Sequence, residues 1–446
     1  MRRGRLLLAL GVISAAVYLV AAFRLSWLRL GPGVSTWSHL LGPDWAGLEA
    51  SLVGIAVLMA AYLWGFWLAR GSQGLRRIIW SLAGLFAVTL FWLMPITSDL
   101  FGYLSHAHLF TDLHLNPLEV APLDAPGNPF ALVYFSPYAA NPSIYGPAWL
   151  LLSAPGTLGP YDVTWGLAYL KGLSVLAFLG SAWLLGRMVL RVRPESAAEG
   201  LLAFAWSPLV LLMGVGDGHN DLVMMAFVLL AFWLLLRDRS LLAFGALAVS
   251  VWVKYVSAIF FPLFVIYVLR HAQQSAQASD HANRSRKSMI GGWLDDPRSI
   301  VLTGTLAVVG ISVLLFVPFW QPNLLSIILK RLVSPINWSG GETALSDRAL
   351  RLGLVLYAVA YAVLAYRLAR GRPSFQQLAN TSFVVSLLLF VLGAARSQPW
   401  HLIWPAALVG LSDRRWALPL LAGLSTVMLA AQIWVEWGAP GRWILF

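Results

Sequence analysis

Apolar runs of about 20 residues recur along this 446-residue chain from Leu6 almost to its C-terminus. A run of that length is long enough to cross a bilayer as a helix, so the chain reads as a polytopic, all-α membrane protein. Composition agrees. Hydrophobic residues make up 59% and charged residues 11%, where soluble domains carry about 25% charged. The 22 tryptophans suit a membrane protein, because indole favours the headgroup region. There is no cysteine, so disulfides and thiolate chemistry are excluded. Met1-Arg2-Arg3-Gly4-Arg5 precedes a long apolar run without a small-residue cleavage site, and reads as the start of a retained first span.

About 13 spans are placed, near 6–23, 48–69, 78–96, 165–186, 198–214, 221–236, 241–253, 256–269, 300–319, 350–366, 378–394, 400–411 and 416–436. With the N-terminus in the cytoplasm, roughly two-thirds of the Lys and Arg fall in inside loops, as the positive-inside rule asks. The net charge of +12 is then a topological signal and not a nucleic-acid footprint. Two local choices follow. The apolar stretch 145–158 is short and must be re-entrant or interfacial. The stretch 241–269 must be two short helices broken near Lys254-Tyr255, with a cavity beside the break. These assignments divide the chain into an N-terminal module (1–270), a basic, flexible cytoplasmic linker (271–299) and a C-terminal module (300–446).

One polar segment stands out. Residues 97–147 carry Asp99, Asp112, Glu119, Asp124, His106, His108 and His114 but no Lys or Arg. On the charge count this is a large outer loop, rich enough in aromatics to be ordered. Ser98-Asp99, the 217–221 turn, Lys254, the 320–347 loop and Arg396–His401 all fall on the same outer face, as a single site requires.

Asp99 directly follows a span. A carboxylate there is either a solvated helix end or a general base able to take a proton from a sugar hydroxyl. In Gly216-Asp217-Gly218-His219-Asn220-Asp221, the glycines suggest a tight turn and Asn220 or Asp221 can cap the next helix. Recognition of substrate hydroxyls by His219 and Asn220 outweighs a metal site built from Asp217, His219 and Asp221. Lys254 and Arg396 are either snorkelling cations or partners for a lipid-linked phosphate. His401 either orients that phosphate or caps a helix. His106-Ala107-His108, on an amphipathic helix, would point its two rings apart and does not read as a metal motif. Nucleotide-loop, zinc-protease and serine-hydrolase motifs are absent, as is any internal repeat.

The ordered set Ser98-Asp99-Leu100-Phe101-Gly102-Tyr103, Asn128-Pro129-Phe130, Tyr145-Gly146-Pro147-Ala148-Trp149, Gly218-His219-Asn220-Asp221 and Gln398-Pro399-Trp400-His401-Leu402-Ile403-Trp404-Pro405 resembles a known family. It is similar to the integral-membrane glycosyltransferases of the GT-C fold, in particular the bacterial polyprenol-phosphate-mannose-dependent alpha-mannosyltransferases. The resemblance implies a GT-C-like fold, Asp99 as catalytic acid residue of the first outer loop, a polyprenyl-phosphate sugar donor, and inverting transfer to a glycan or glycolipid. The charge count puts the site of such an enzyme on the extracytoplasmic face of the plasma membrane, and a lipid-phosphate donor carries too few charges to make a metal or other cofactor obligatory. Substrate contacts are expected from Ser98, Tyr103, His106, Tyr145, Asp217, His219, Asn220, Asp221, Lys254, Tyr255, Arg396, Gln398 and His401. Members often carry a second acid beside the first, and Gly102-Tyr103 supplies none here. A lipid-linked sugar flippase, or a polymerase or ligase using a diphosphate-linked donor, would share the cavity and cations.

Overall fold

A computed structural model describes residues 2–29, 45–125, 128, 137–159, 163–282, 297–329, 344–371, 373–393 and 397–438. Among these residues it is helical throughout, with no strand and only an isolated antiparallel bridge between Ser26 and Leu93. The helices, in chain order, are α1 (Arg2–Arg24), α2 (Trp45–Ala69), α3 (Arg76–Phe91), α4 (Asp99–Thr111) and α5 (Pro147–Ser153). Then come α6 (Val163–Val192), α7 (Ala197–Ala205), α8 (Asn220–Leu235), α9 (Ser240–Val253) and α10 (Phe260–Ala282). The remainder are α11 (Pro297–Phe316), α12 (Ala344–Arg370), α13 (Phe375–Leu392), α14 (Ile403–Val409) and α15 (Ala417–Gly438).

Eight of the described helices are long and apolar enough to cross a membrane, or nine if one bent pair counts as a span. This is fewer than the 13 expected, and the reason is local. Several apolar runs are cut into pieces too short for the ~30 Å of a bilayer core. After α7 the run bends by 55° into a π-helix, Val210–Gly216, at the Ser207-Pro208 step, where proline cannot continue the ladder. α8 and α9 have only 16 and 14 residues. The break at Lys254 is present: α9 stops at Val253, Lys254 is extended (φ −152°, ψ 118°), and a 3₁₀ turn, Tyr255–Ile259, leads into α10. α14 has seven residues.

Glycines and inward polar bonds set the packing. Any side chain at Gly11 of α1 would strike Leu82 of α3 and crowd Trp206, so α1 lies close against α3. Gly200 of α7 and Gly410, which follows α14, face each other backbone to backbone. The Tyr62 hydroxyl donates to the Ala203 carbonyl (2.6 Å) and the Trp206 indole to the Ile79 carbonyl (3.2 Å), fixing α2 and α3 against α7. α13 begins with a capping box in which Ser374 accepts from the Gln377 amide while Gln377 accepts from the Ser374 amide.

The polar segment after α3 differs from the expected loop. It opens with α4, buried from Asp99 to Leu109 on every face, where an amphipathic helix was expected. Its polar side chains are tolerated because they find partners. The His106 ring nitrogens lie 2.8 Å from the Gly102 carbonyl and 3.0 Å from that of Asn141, and His108 pairs with Asp112 at 2.9 Å. Residues 147–157 form α5 and a 3₁₀ turn, too short to cross. Pro147 sits at the first turn of α5, and Gly146 before it passes so close to α9 that a Cβ would overlap the Trp252 carbonyl. Residues 271–282, expected in the linker, continue α10, and the rest of that stretch to residue 296 lies outside the described residues.

Candidate active site

The site forms where the N-terminus of α4, the turn between the π-helix and α8, the α9 break and the segment before α14 meet. Ser98 is the N-cap residue of α4, without a side-chain capping bond, and Asp99 is the first helical residue. A carboxylate in that first turn is favoured by the helix dipole. Asp99 is nonetheless buried, so its charge has to be answered by specific groups.

His219 provides the answer. Its Nδ1 lies 3.2 Å from Asp99 Oδ2, and its Nε2–H donates to Asp217 Oδ2 at 2.8 Å. The first contact is off the hydrogen-bond axis, since Nδ1 makes no well-angled bond, and works as an ion pair. Asp217 is held in turn by the Thr97 amide (2.9 Å) and the Thr97 hydroxyl (3.1 Å). The His219 ring stacks on the Trp400 indole at 4.0 Å and 18°. The result is a buried Asp99–His219–Asp217 chain with the imidazole in the middle. Burial pulls the His219 pKa down, but Asp217 and then Asp99 pull it up further, for a net rise from 6.5 to about 9. His219 is therefore an imidazolium at neutral pH, and it holds Asp99 in place from behind.

Backbone shape makes this possible. Gly218 has φ +78°, a left-handed conformation suited to glycine, and a side chain there would meet Leu100. Asn220 or Asp221 was expected to cap α8, but His219 is the cap residue and both are already helical. Both polar atoms of the fully buried Asn220 amide lack a hydrogen-bond partner among the described residues.

A second charge pair lies alongside. Lys254 Nζ donates to both Asp221 oxygens at 2.9 and 2.8 Å, and the Trp404 indole donates to the same carboxylate. The ammonium also lies 5.9 Å from the ring centres of Tyr145 and Trp404. Tyr103 sits between the two charge clusters, edge-on to Tyr145 (5.2 Å) and Trp149 (4.9 Å). Burial, then Tyr145, Asp99 and Asp221, hold its phenol well above the usual range and un-ionised.

Of the residues expected at the site, Asp99, Ser98, Tyr103, Tyr145, Asp217, His219, Asn220, Asp221, Lys254 and His401 gather here. Arg396 lies outside the described residues. His106 sits two turns along α4 with both ring nitrogens against carbonyls, and Tyr255 packs edge-on against Trp252. His401 accepts from the Gln398 amide at 3.1 Å and stacks on Trp404, so it caps the turn Pro399–Leu402. Sequence reasoning assigned no site role to Thr97, nor to Trp400 and Trp404, which stood only as members of the family motif. Lys171 falls inside the span expected at 165–186. It is fully buried in α6 and donates to the Gly216 carbonyl, bracing the turn that carries Asp217. Its signal was legible, since a charge in mid-span marks function by default. Among the described residues no three His, Asp or Glu side chains form a group able to hold a metal ion.

Comparison with known proteins gives this arrangement a class. Residues 4–270 match a family model described as Alpha-(1->6)-mannopyranosyltransferase, N-terminal domain, the region that carries α1 to α9 and most of the site. The protein is a multi-pass membrane glycosyltransferase. It belongs to the alpha-(1->6)-mannopyranosyltransferase family. A relative, Alpha-(1->6)-mannopyranosyltransferase A of Mycobacterium tuberculosis, is 27% identical over 92% of this chain and 78% of its own length.

Proposed function

We propose that this chain transfers a mannosyl unit from a polyprenyl-phosphate donor to a hydroxyl of a glycan or glycolipid acceptor at the extracytoplasmic face of the plasma membrane, with inversion at the anomeric carbon. The family relationship and the resemblance of the site motifs support the sugar and the donor class. The observation that carries the mechanism is the Asp99–His219–Asp217 chain.

In this reading Asp99 accepts the proton of the acceptor hydroxyl as its oxygen bonds to the anomeric carbon and the bond from that carbon to the phosphate oxygen breaks. The phosphate leaves as polyprenyl phosphate. His219, charged and fixed by Asp217, orients the Asp99 carboxylate. Lys254 gives two of its three donors to Asp221 and keeps one for the leaving phosphate. The orphaned Asn220 amide offers a donor and an acceptor to sugar hydroxyls.

The test is transfer of radiolabelled sugar from lipid-phosphate mannose, with glucose and arabinose donors in parallel, to simple mannosides by purified protein. Asp99→Asn, folded as judged by its melting curve, is expected to lose about 10²-fold or more. Near-normal transfer by that variant would remove Asp99 from the mechanism.

A further inference from the structure

A cavity of about 560 Å³ opens at the far end of α4, where the turn after Thr111, the 3₁₀ turn Ala154–Thr157 and the 3₁₀ turn Val317–Phe319 converge. Its size falls in the usual range for ligand pockets, about 300–1,000 Å³. The charged groups of the site lie elsewhere; the walls here are largely apolar, with the rings of Phe110, Phe319 and Trp320 beside aliphatic groups, and Thr111, His114 and Gln321 add polar groups among them. Phe110 and Phe319 are in contact at 4.8 Å, and the Asn116 amide donates to the Phe319 carbonyl, which ties the two walls together. Trp320 is 72% exposed. His114 has φ +53°, which turns the chain back after α4 at a cost of about 1–2 kcal/mol.

We infer that this cavity is a subsite for the carbohydrate of the acceptor, distant from the reacting sugar. The inference rests on the proposed transfer to a glycan. A pyranose ring has an apolar C–H face and a rim of hydroxyls. Aromatic walls with hydroxyl, amide and imidazole groups among them match both surfaces, whereas an acyl chain would use only the first. α4 joins the two places rigidly: twelve residue steps separate Asp99 from Thr111, about 18 Å at ~1.5 Å per residue. That is too far for the sugar being attacked and within reach of a chain of several units. The cavity therefore reads acceptor length.

The experiment measures KM and kcat for the full chain in detergent against a monomannoside and linear oligomannosides of rising length, in the wild type and in Trp320→Ala and Gln321→Ala. In the wild type KM falls as the acceptor becomes long enough to reach the cavity. Trp320→Ala is expected to erase that gain, raising KM for long acceptors about tenfold, the worth of one aromatic platform, while leaving monomannoside kinetics unchanged. Saturation-transfer NMR of a long oligomannoside on the Asp99→Asn protein reads the same subsite without turnover, and its signal is expected to drop in Asp99→Asn/Trp320→Ala. An equal KM rise at every length, or none at any, overturns the inference. So does a KM that follows the alkyl length of alkyl mannosides and not their sugar count, which would make the cavity a lipid site. Failure of the wild type to transfer to any acceptor would sink the proposed function instead, and the NMR arm would still decide this one.

Discussion

Replacing Lys254 by methionine tests whether the pair with Asp221 is a single electrostatic unit. Asp221 is fully buried and receives two hydrogen bonds from Lys254 and one from Trp404. Lys254→Met leaves a buried carboxylate with one neutral donor, and removing one partner of a buried pair costs about 3–5 kcal/mol. The reciprocal change is milder. Lys254 keeps 17% of its side chain exposed and two aromatic faces beside it, so Asp221→Asn is expected to cost about 1–2 kcal/mol. The double variant Asp221→Asn/Lys254→Met has no stranded charge, and should be more stable than additivity predicts by about 2 kcal/mol. Reversible denaturant unfolding in detergent micelles, followed by far-UV circular dichroism, measures all four corners of the cycle. Additivity within about 0.5 kcal/mol would refute the pairing argument. So would a larger loss from Asp221→Asn than from Lys254→Met.

The raised pKa of His219 makes stability depend on pH. Since the folded value of about 9 lies above the ordinary 6.5, its contribution is complete below about pH 6.5 and lost as pH rises through about 9; melting temperature against pH should show that decline, and His219→Gln should flatten it. Lys171→Met removes the brace on the Gly216 carbonyl and is expected to lower kcat about 10²-fold with little change in KM, as misplaced catalytic groups do; an unchanged kcat would make Lys171 a packing residue only. Gly410→Ala drives a methyl into the Gly200 carbonyl and should cost about 1–3 kcal/mol, seen as a lowered melting temperature.

Helix positions were legible because span length and apolar content are written directly in the chain. The break at Lys254 was also expected, and it is present. The lengths of the helices were less legible, because an apolar run does not say where it breaks, and Ser207-Pro208 and the Pro399 turn interrupt it. The polar residues of α4 misled for a related reason. Histidines beside acids look solvated in a sequence, yet here His106 and His108 are buried with their partners inside the protein. Asp99 and His219 were both singled out, but that they touch could not be known from residues so far apart. Trp400 and Trp404 stand in a motif that carries the family resemblance, but their contacts with His219 and Asp221 join residues too far apart to be read from the chain.

The stacking of His219 on Trp400 has a consequence for biosynthesis. Every charged group described in the site lies before residue 255, yet two aromatic side chains that close it come from beyond residue 399. Domains emerge and fold from the N-terminus at about 5–20 residues per second. For several seconds the nascent chain thus holds its acids and its lysine without the indoles that cover His219 and bond Asp221. The candidate site is structurally complete only once the chain through Trp404 is in place, and a ribosome that stalls before Trp400 leaves Asp221 without its indole donor and His219 without its stacking partner.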